Sequence, residues 1–297
     1  MLIDIHTHTC RMRPLTKALG RHFVEPAALI EMMDARGIDR AILLPIVSPE
    51  HQTHYLTPEE VMEVCEQYPD RLVPFCCLDP RMVGHAPESD FRPILRFYKE
   101  AGFKGFGEHI ASLPFDHPMQ LNLFRQVEEV GLPLTFHIAP RQGGFYGCVD
   151  DLGLPRLEKM LKACPNLRVL GHSQPFWAEI GADVTDETRN GYPKGKVRPG
   201  RTVELMRRYP NLYGDLSAGS GFNAISRDPE FGYAFLEEFQ DRLLFGTDIC
   251  WPGQETPIVA YFERLRNERL ISPEACEKVA WRNADRLLGL GIQERKP

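Results

Sequence analysis

The 297-residue chain lacks paired cysteines, long apolar runs and an excess of positive charge. Its eight cysteines are scattered without any Cys-x-x-Cys pair, which argues against a disulfide framework and a thiolate zinc site. The sequence contains no run of about 18 uncharged apolar residues, so no membrane-spanning helix is expected. The 41 acidic and 35 basic residues give a net charge of -6. This balance argues against nucleic acid or an anionic membrane as a partner.

The composition is that of a globular protein. Hydrophobic residues make up 43% of the chain, which is enough to form a large core without cross-links. The first residues contain no basic segment followed by an apolar stretch, so we expect a cytoplasmic protein that is not exported. Long exposed loops make a homodimer a further expectation.

Short β-rich segments alternate with longer segments of helical periodicity along the chain, as is typical of a parallel sheet built from βαβ units. The predicted strands are Met1–His8, Arg40–Val47, Leu72–Leu78, Phe103–Ile110, Pro133–Ala139, Leu167–Ser173, Leu212–Ser217 and Leu243–Ile249. The predicted helices are Glu25–Arg36, Pro58–Tyr68, Phe91–Ala101, Met119–Val130, Leu154–Ala163, Arg201–Tyr209, Pro229–Phe239 and Pro257–Asn267. These repeats predict an α/β protein: a single-domain (β/α)8 TIM barrel over residues 1–297, with long βα loops.

Two histidines at the end of the first predicted strand suggest a metal site. Side chains alternate along a strand, so Asp4, His6 and His8 share one face. We expect both imidazoles to point into the barrel mouth and to bind one divalent ion there. Structural histidines that bind no metal are the alternative for this pair taken alone.

Four other predicted strands also end in residues that commonly bind metals, namely Glu108, His137, His172 and Asp248. Enzymes with this barrel build their active sites at the carboxyl ends of the strands, where these side chains meet. Each could be an ordinary polar residue of the rim, but together they favour one shared metal site. Imidazole and carboxylate ligands suit Zn²⁺, with Mn²⁺ as an alternative.

At these positions the sequence resembles the amidohydrolase superfamily, and especially its amidohydrolase-2 branch of metal-dependent hydrolases and decarboxylases. The resemblance spans nearly the whole chain and rests on Asp4-Ile5-His6-Thr7-His8, Lys104-Gly105 leading to Glu108, His137, His172, Phe245-Gly246-Thr247-Asp248 and the segment Asn283–Leu290. It implies a (β/α)8 barrel with His6, His8, His137 and Asp248 as metal ligands. In such a barrel, His172 either binds a second ion or polarises the substrate carbonyl.

Glu108 bears on the number of ions. Many binuclear relatives place a carboxylated lysine on the fourth strand, whereas the TatD-like branch is similar to this sequence in having a glutamate there. The resemblance therefore implies that Glu108 bridges two ions. Lys104 is the candidate for a carboxylated lysine, but we expect it to lie lower in the barrel against Asp4. One or two ions per chain both remain open.

The resemblance implies a metal-dependent hydrolase that cleaves an amide, ester or lactone bond in a small polar or carboxylated substrate. Metal-activated water attacks the substrate, Asp248 takes up the proton, and His172 or the metal stabilises the oxyanion. Non-oxidative decarboxylation of an aromatic or enol carboxylate by the same residues is one alternative. A metal-binding barrel without catalytic activity is the other.

Residues of the predicted loops are candidates for binding substrate. Arg11, Arg13 and Arg141 follow strand ends and could hold a carboxylate or a phosphate, although solvated arginines are the alternative. Trp177 and Trp251 are candidate walls of the pocket.

Three further residues are assigned supporting or surface positions. Asp215 ends the seventh predicted strand, where we expect it to support the site. His51 and His54 lie in loops, where solvent exposure or helix capping explains them.

Overall fold

The computed structural model describes residues 1–11 and 22–292. Its strands are β1 (Ile3–Thr7), β2 (Arg40–Leu43), β3 (Leu72–Pro74), β4 (Phe106–His109), β5 (Leu134–Ala139), β6 (Cys148–Val149), β7 (Val169–His172), β8 (Leu212–Asp215) and β9 (Leu243–Leu244). Its helices are α1 (Pro26–Asp34), α2 (Pro58–Gln67), α3 (Arg92–Glu100), α4 (Pro118–Val130), α5 (Pro155–Ala163), α6 (Gln174–Ala178), α7 (Arg201–Arg208), α8 (Ala218–Ser226), α9 (Pro229–Glu238), α10 (Pro257–Asn267), α11 (Pro273–Glu277) and α12 (Asn283–Leu288). A 3-10 turn spans Pro49–His54, and a π-helical turn spans Lys278–Arg282.

The strands close into a parallel barrel. One sheet has the order β1-β2-β3, and the other has the order β4-β5-β7-β8-β9, with β6 paired to β5. A parallel bridge from Cys76 to Phe106 joins β3 to β4. The barrel closes where the Ile5 N–H donates to the Phe245 carbonyl and the His8 N–H donates to the Ile249 carbonyl, both at 2.9 Å. The predicted (β/α)8 fold is confirmed.

The last barrel strand is much shorter than predicted. Regular pairing ends at Leu244, although the apolar sequence continues to Ile249. Asp248 has a φ of 56°, in the left-handed region that a strand does not contain. Residues 245–249 therefore do not continue β9 as a regular strand. They stay close to β1, where the Asp248 N–H donates to the His6 carbonyl at 2.9 Å.

Apolar side chains fill the barrel and the layer outside it. Leu43, Val64 and Leu95 belong to a large buried cluster that packs strands against the surrounding helices. A second buried cluster includes Ile42 of β2 and Leu170 of β7, two strands on opposite sides of the barrel, so it fills the interior. This apolar filling supports the polar residues at the rim. No helix among the described residues is long and apolar enough to cross a membrane.

Candidate metal centre

His6 and His8 direct one nitrogen each at a common point. The His6 Nδ1 lies 2.6 Å from the Asp215 Oδ2, and the His8 Nδ1 lies 3.3 Å from the Leu44 carbonyl oxygen. Both partners are acceptors, so each Nδ1 carries the donated hydrogen and each Nε2 keeps a lone pair. The two Nε2 atoms face each other at 3.1 Å. Two lone pairs this close repel each other unless a cation or a proton lies between them.

Two carboxylates complete this set of donor atoms. The Glu108 Oε2 lies 3.4 Å from the His8 Nε2 and 3.7 Å from the His6 Nε2. The Asp248 Oδ1 lies 3.7 Å from both nitrogens. Ligands at about 2.1 Å around a tetrahedral ion are roughly 3.4 Å apart, so these spacings suit one divalent ion. The donor types and their separation therefore fit a metal.

The other oxygen of Glu108 faces a second pair of histidines. Its Oε1 lies 2.8 Å from the His137 Nδ1 and 3.8 Å from the His172 Nε2. Glu108, His137 and His172 thus form a second group of atoms that could hold an ion. The resemblance implies that His137 binds the same ion as His6 and His8, but the structure places His137 beside the other oxygen of Glu108. The barrel order explains this placement, because His137 is on β5, which is the neighbour of the β4 strand that carries Glu108.

The centre carries an excess of negative charge. In the described part of the chain, histidines are the only ion-pair partners of the Glu108, Asp215 and Asp248 carboxylates. Burial lowers the pKa of His6, but Asp215 and Asp248 outweigh it and raise that pKa well above its usual value. Burial also raises the pKa of Glu108, yet hydrogen bonds from His137 and other histidines hold it well below its usual range. Such a site favours a bound cation.

Asp4 connects the first strand to the turn that carries Asp248. Its buried carboxyl accepts hydrogen bonds from the Thr247 N–H at 2.9 Å and the Thr247 hydroxyl, and burial raises the pKa of Asp4 to about 7. The expected contact between Asp4 and Lys104 is wrong, because Lys104 is exposed at the protein surface. An exposed Lys104 cannot serve as a carboxylated lysine at this centre.

Gly246 is required beside the centre because of close packing. A Cβ atom at this position would lie 2.8 Å from the Ser217 Cβ and 3.0 Å from the Asp215 Oδ1. Any larger residue would displace Asp215, which holds His6 in place. The glycine in the Phe245-Gly246-Thr247-Asp248 motif is therefore explained by space rather than by a left-handed backbone.

His172 and Trp177 both lie next to Asp215. The His172 Nδ1 is 2.9 Å from the Ser217 hydroxyl, and burial, followed by the charge of His6, lowers the pKa of His172 to about 4. Trp177 is only 1% exposed, and its indole N–H donates to the Asp215 carbonyl at 2.8 Å. The expectation that Trp177 contacts substrate is wrong, because α6 buries it beneath the barrel rim.

The other expected substrate-binding residues have different partners. Arg11 pairs with Glu63 of α2 at 2.5 Å, and Arg141 stacks on Phe145 at 5.2 Å. Trp251 lies at the mouth of the site beside Phe23. Arg13 lies outside the described residues.

Sequence reasoning missed several aromatic residues at the mouth, namely Phe23, His51, His54 and Tyr146. The His51 ring contacts that of Tyr146, which in turn contacts that of His137, so His51 packs beside the site instead of lying free in solvent. These residues come from the connections after β1, β2 and β5, where no periodic pattern marks them. Only the length of the connections after the first and fifth strands was a signal, for Phe23 and Tyr146, and no signal marked His51 and His54 after the second strand.

A closed (β/α)8 barrel with converging histidines and carboxylates at its rim defines a metal-dependent barrel enzyme. The family model of the amidohydrolases, in its amidohydrolase-2 form, matches residues 3–290, and the chain belongs to this family. No curated protein matches the chain significantly.

Solved structures of similar fold include a TIM-barrel protein from Bordetella bronchiseptica. It shares 18% identity with a TM-score of 0.66, over 97% of this chain and 98% of that chain. A 2,6-dihydroxybenzoate decarboxylase from Rhizobium shares 19% identity with a TM-score of 0.60, over 98% of both chains. A 5-carboxyvanillate decarboxylase from Novosphingobium aromaticivorans, complexed with manganese, shares 19% identity with a TM-score of 0.61, over 97% of this chain and 96% of that chain.

Proposed function

We propose that the protein is a metal-dependent hydrolase that cleaves an ester, lactone or amide bond in a small substrate. The position of Glu108 carries this proposal. One of its oxygens faces His6 and His8, and the other faces His137 and His172. That arrangement suits a carboxylate that bridges two ions, as the resemblance to TatD-like hydrolases implies.

The two ions that we assign to these residues are Zn²⁺, with Mn²⁺ as the alternative. His6, His8, Asp248 and Glu108 would hold the first ion, and Glu108, His137 and His172 would hold the second. When bound, such ions polarise the substrate and lower the pKa of water towards about 7. The negative charge of these carboxylates favours their binding.

Asp248 is suited to take up the proton that hydrolysis releases. Its side chain is 22% exposed, whereas that of His6 is fully buried, so Asp248 is open to entering molecules. Its Oδ1 faces the histidine nitrogens, and its Oδ2 makes no hydrogen bond with any described residue. A carboxylate oxygen with a free lone pair at the site entrance can accept a proton and pass it to the leaving group.

His172 is suited to orient the substrate from the opposite side. Its lowered pKa keeps the ring neutral at neutral pH, and the Ser217 hydroxyl fixes the ring through Nδ1. The Nε2 atom points towards Glu108 and the centre. In this position a neutral imidazole either serves as a ligand or donates to the substrate carbonyl.

The test compares the wild-type protein with Glu108→Gln for metal content by plasma mass spectrometry and for hydrolysis of dihydrocoumarin and phenyl acetate. Glutamine has one carbonyl oxygen and cannot bridge, so we expect two ions per chain to fall to one and hydrolysis to be lost. Glu100→Gln, on the exposed end of α3, is the matched control and retains both. One ion per chain, unchanged by Glu108→Gln, would contradict the bridging role.

Decarboxylation of an aromatic or enol carboxylate is the second candidate function. Two observations favour it: the aromatic residues at the site mouth, and the similarity of the fold to decarboxylases of 2,6-dihydroxybenzoate and 5-carboxyvanillate. Carbon dioxide release from 2,6-dihydroxybenzoate, without hydrolysis of either ester, would establish this function instead. Absence of both activities in the metal-loaded protein would leave a metal-binding barrel without catalysis.

A further inference from the structure

Tyr146 lies at the mouth of the barrel beside the second group of donor atoms. Its ring is 4.5 Å from that of His137 and 4.7 Å from that of His51, measured between centroids. These are the spacings of interacting aromatic pairs, so two neighbours hold the ring in place. Tyr146 is nevertheless 39% exposed and lines a groove of about 500 Å³, a volume within the range of small-molecule sites. A molecule in this groove can therefore reach Tyr146 next to the centre.

The backbone that follows Tyr146 packs directly on the ends of two barrel strands. The Gly147 N–H donates to the carbonyl of Ile110, the residue after β4, at 2.9 Å. Gly147 has a φ of 115°, and a Cβ atom there would lie 2.7 Å from the His137 carbonyl oxygen on β5. Only glycine allows the chain to come this close. Tyr146 is thus held against β4 and β5, the strands that carry Glu108 and His137.

The phenol hydroxyl of Tyr146 is available to a ligand. Within residues 1–11 and 22–292 it has no hydrogen-bond partner. The hydroxyls of Ser217 and Thr247 also lie at the centre, but these two are buried, and they bond to His172 and Asp4 respectively. Of the three hydroxyls, the Tyr146 phenol is therefore the one that can bind an entering molecule.

The surroundings of Tyr146 make its phenol a hydrogen-bond donor. Burial raises the pKa of Tyr146, and the negative charges of Glu108 and Asp248 raise it further. Cys250 and Tyr192 are the other titratable groups that act on the phenol, and both act in the same direction. The phenol therefore keeps its hydrogen at neutral pH, so that it can donate to an oxygen of the substrate but does not act as a base.

We propose that Tyr146 is a catalytic residue, whose phenol donates a hydrogen bond to the substrate carbonyl oxygen as negative charge develops there. The proposal rests on the proposed hydrolase function. When the oxygen of water bonds to the carbonyl carbon, the π-electron pair of the carbonyl moves to its oxygen, and Asp248 takes up a proton of the water. The electron pair then returns, the bond to the leaving group breaks, and that proton passes to the leaving group. Tyr146 keeps its own hydrogen throughout, and His172 is left to serve as a ligand.

The first test measures hydrolysis of phenyl acetate and dihydrocoumarin by the metal-loaded full-length protein and its Tyr146→Phe variant. Phenylalanine keeps the ring that packs on His137 and removes only the donor. We expect kcat to fall by about 100–1,000-fold, the usual effect of losing one donor to an oxyanion, while KM changes little. Metal content should stay at the wild-type value. Tyr68→Phe, at the end of α2, is the matched control and should keep the wild-type kcat.

The second test measures binding of phenyl methylphosphonate by titration calorimetry and needs no turnover. This anion has a tetrahedral phosphorus whose charged oxygens match the geometry of the intermediate that water forms with an ester. A hydrogen bond to a charged group contributes enough that we expect Tyr146→Phe to bind the phosphonate at least about tenfold more weakly than the wild type. Tyr68→Phe should bind it as the wild type does.

Three results would overturn the proposal: an unchanged kcat in Tyr146→Phe, an unchanged phosphonate affinity in that variant, or no phosphonate binding by the wild-type protein. A loss of kcat together with a loss of bound metal would also overturn it, because Tyr146 would then act only by packing on His137. A wild-type protein that hydrolyses neither ester would refute the hydrolase function. Weaker phosphonate binding by Tyr146→Phe would still support the donor in that case, so the two failures are distinguishable.

Discussion

Replacing Asp215 with asparagine should weaken metal binding without removing any metal ligand. In the native protein, the Asp215 Oδ2 accepts the His6 Nδ1–H at 2.6 Å, and its Oδ1 accepts the Ser217 N–H at 3.0 Å. Asparagine has one acceptor oxygen. If that oxygen keeps the bond from Ser217, the amide nitrogen faces His6, and its hydrogens require Nδ1 to become an acceptor.

The His6 proton must then move to Nε2, the atom that points at the His8 Nε2 from 3.1 Å. A protonated Nε2 has no lone pair for an ion. Loss of a partner that orients a metal-binding histidine typically lowers affinity by about 10–100-fold. We therefore expect Asp215→Asn to lose about 1.4–2.8 kcal/mol of ion-binding free energy.

The assay is competition for Zn²⁺ between the protein and a chromophoric chelator, with the metal-free unfolding midpoint measured alongside. Asp186→Asn, at an exposed carboxylate, is the control and should bind as the wild type does. If Asp215→Asn keeps wild-type affinity and folds normally, Asp215 does not set the His6 tautomer. A loss of affinity together with a much lower unfolding midpoint would instead indicate that the substitution destabilises the barrel.

Three other substitutions test separate parts of the structure. Trp177→Phe removes the donor to the Asp215 carbonyl and should lower the free energy of unfolding by about 1–3 kcal/mol in urea titrations. Hydrogen bonding from Tyr209 lowers the pKa of Glu158 to about 2. The native pKa is therefore below the unfolded value, and the stability that Glu158 provides is lost as the pH falls from about 4.5 to about 2. Denaturation of Glu158→Gln should show a smaller loss across this interval than the wild type. Lys104→Gln should leave metal content and activity unchanged. A loss of metal would instead support the hypothesis that Lys104 is carboxylated and binds an ion.

The architecture and the position of the site could be predicted because they depend on repeated local patterns. Alternation along β1 directs His6 and His8 to one face, and the carboxyl ends of parallel strands share one rim. The structure accordingly brings Glu108, His172 and Asp248 to the same centre as the two histidines. Glu108 and His172 needed no knowledge of loop conformation, whereas Asp248 reaches the centre from the turn that follows β9.

The parts that could not be predicted depend on contacts between distant segments. Trp177 follows a strand and was expected to line the substrate pocket, but the short helix α6 buries it against the Asp215 carbonyl. Asp4 was expected to contact a lysine and instead binds Thr247 across the closure of the barrel. His51 lies in an irregular turn, and only the packed structure shows that it reaches Tyr146.

The closure of the barrel between its first and last strands has a consequence for synthesis of the protein. His6 and His8 lie on β1, whereas Asp248 and the backbone partners Phe245 and Ile249 follow β9, far along the chain. A nascent chain that has not yet reached this segment has an open rim and lacks one of the proposed metal ligands. Tight binding of the proposed metal is therefore coupled to closure of the barrel between β1 and the segment after β9.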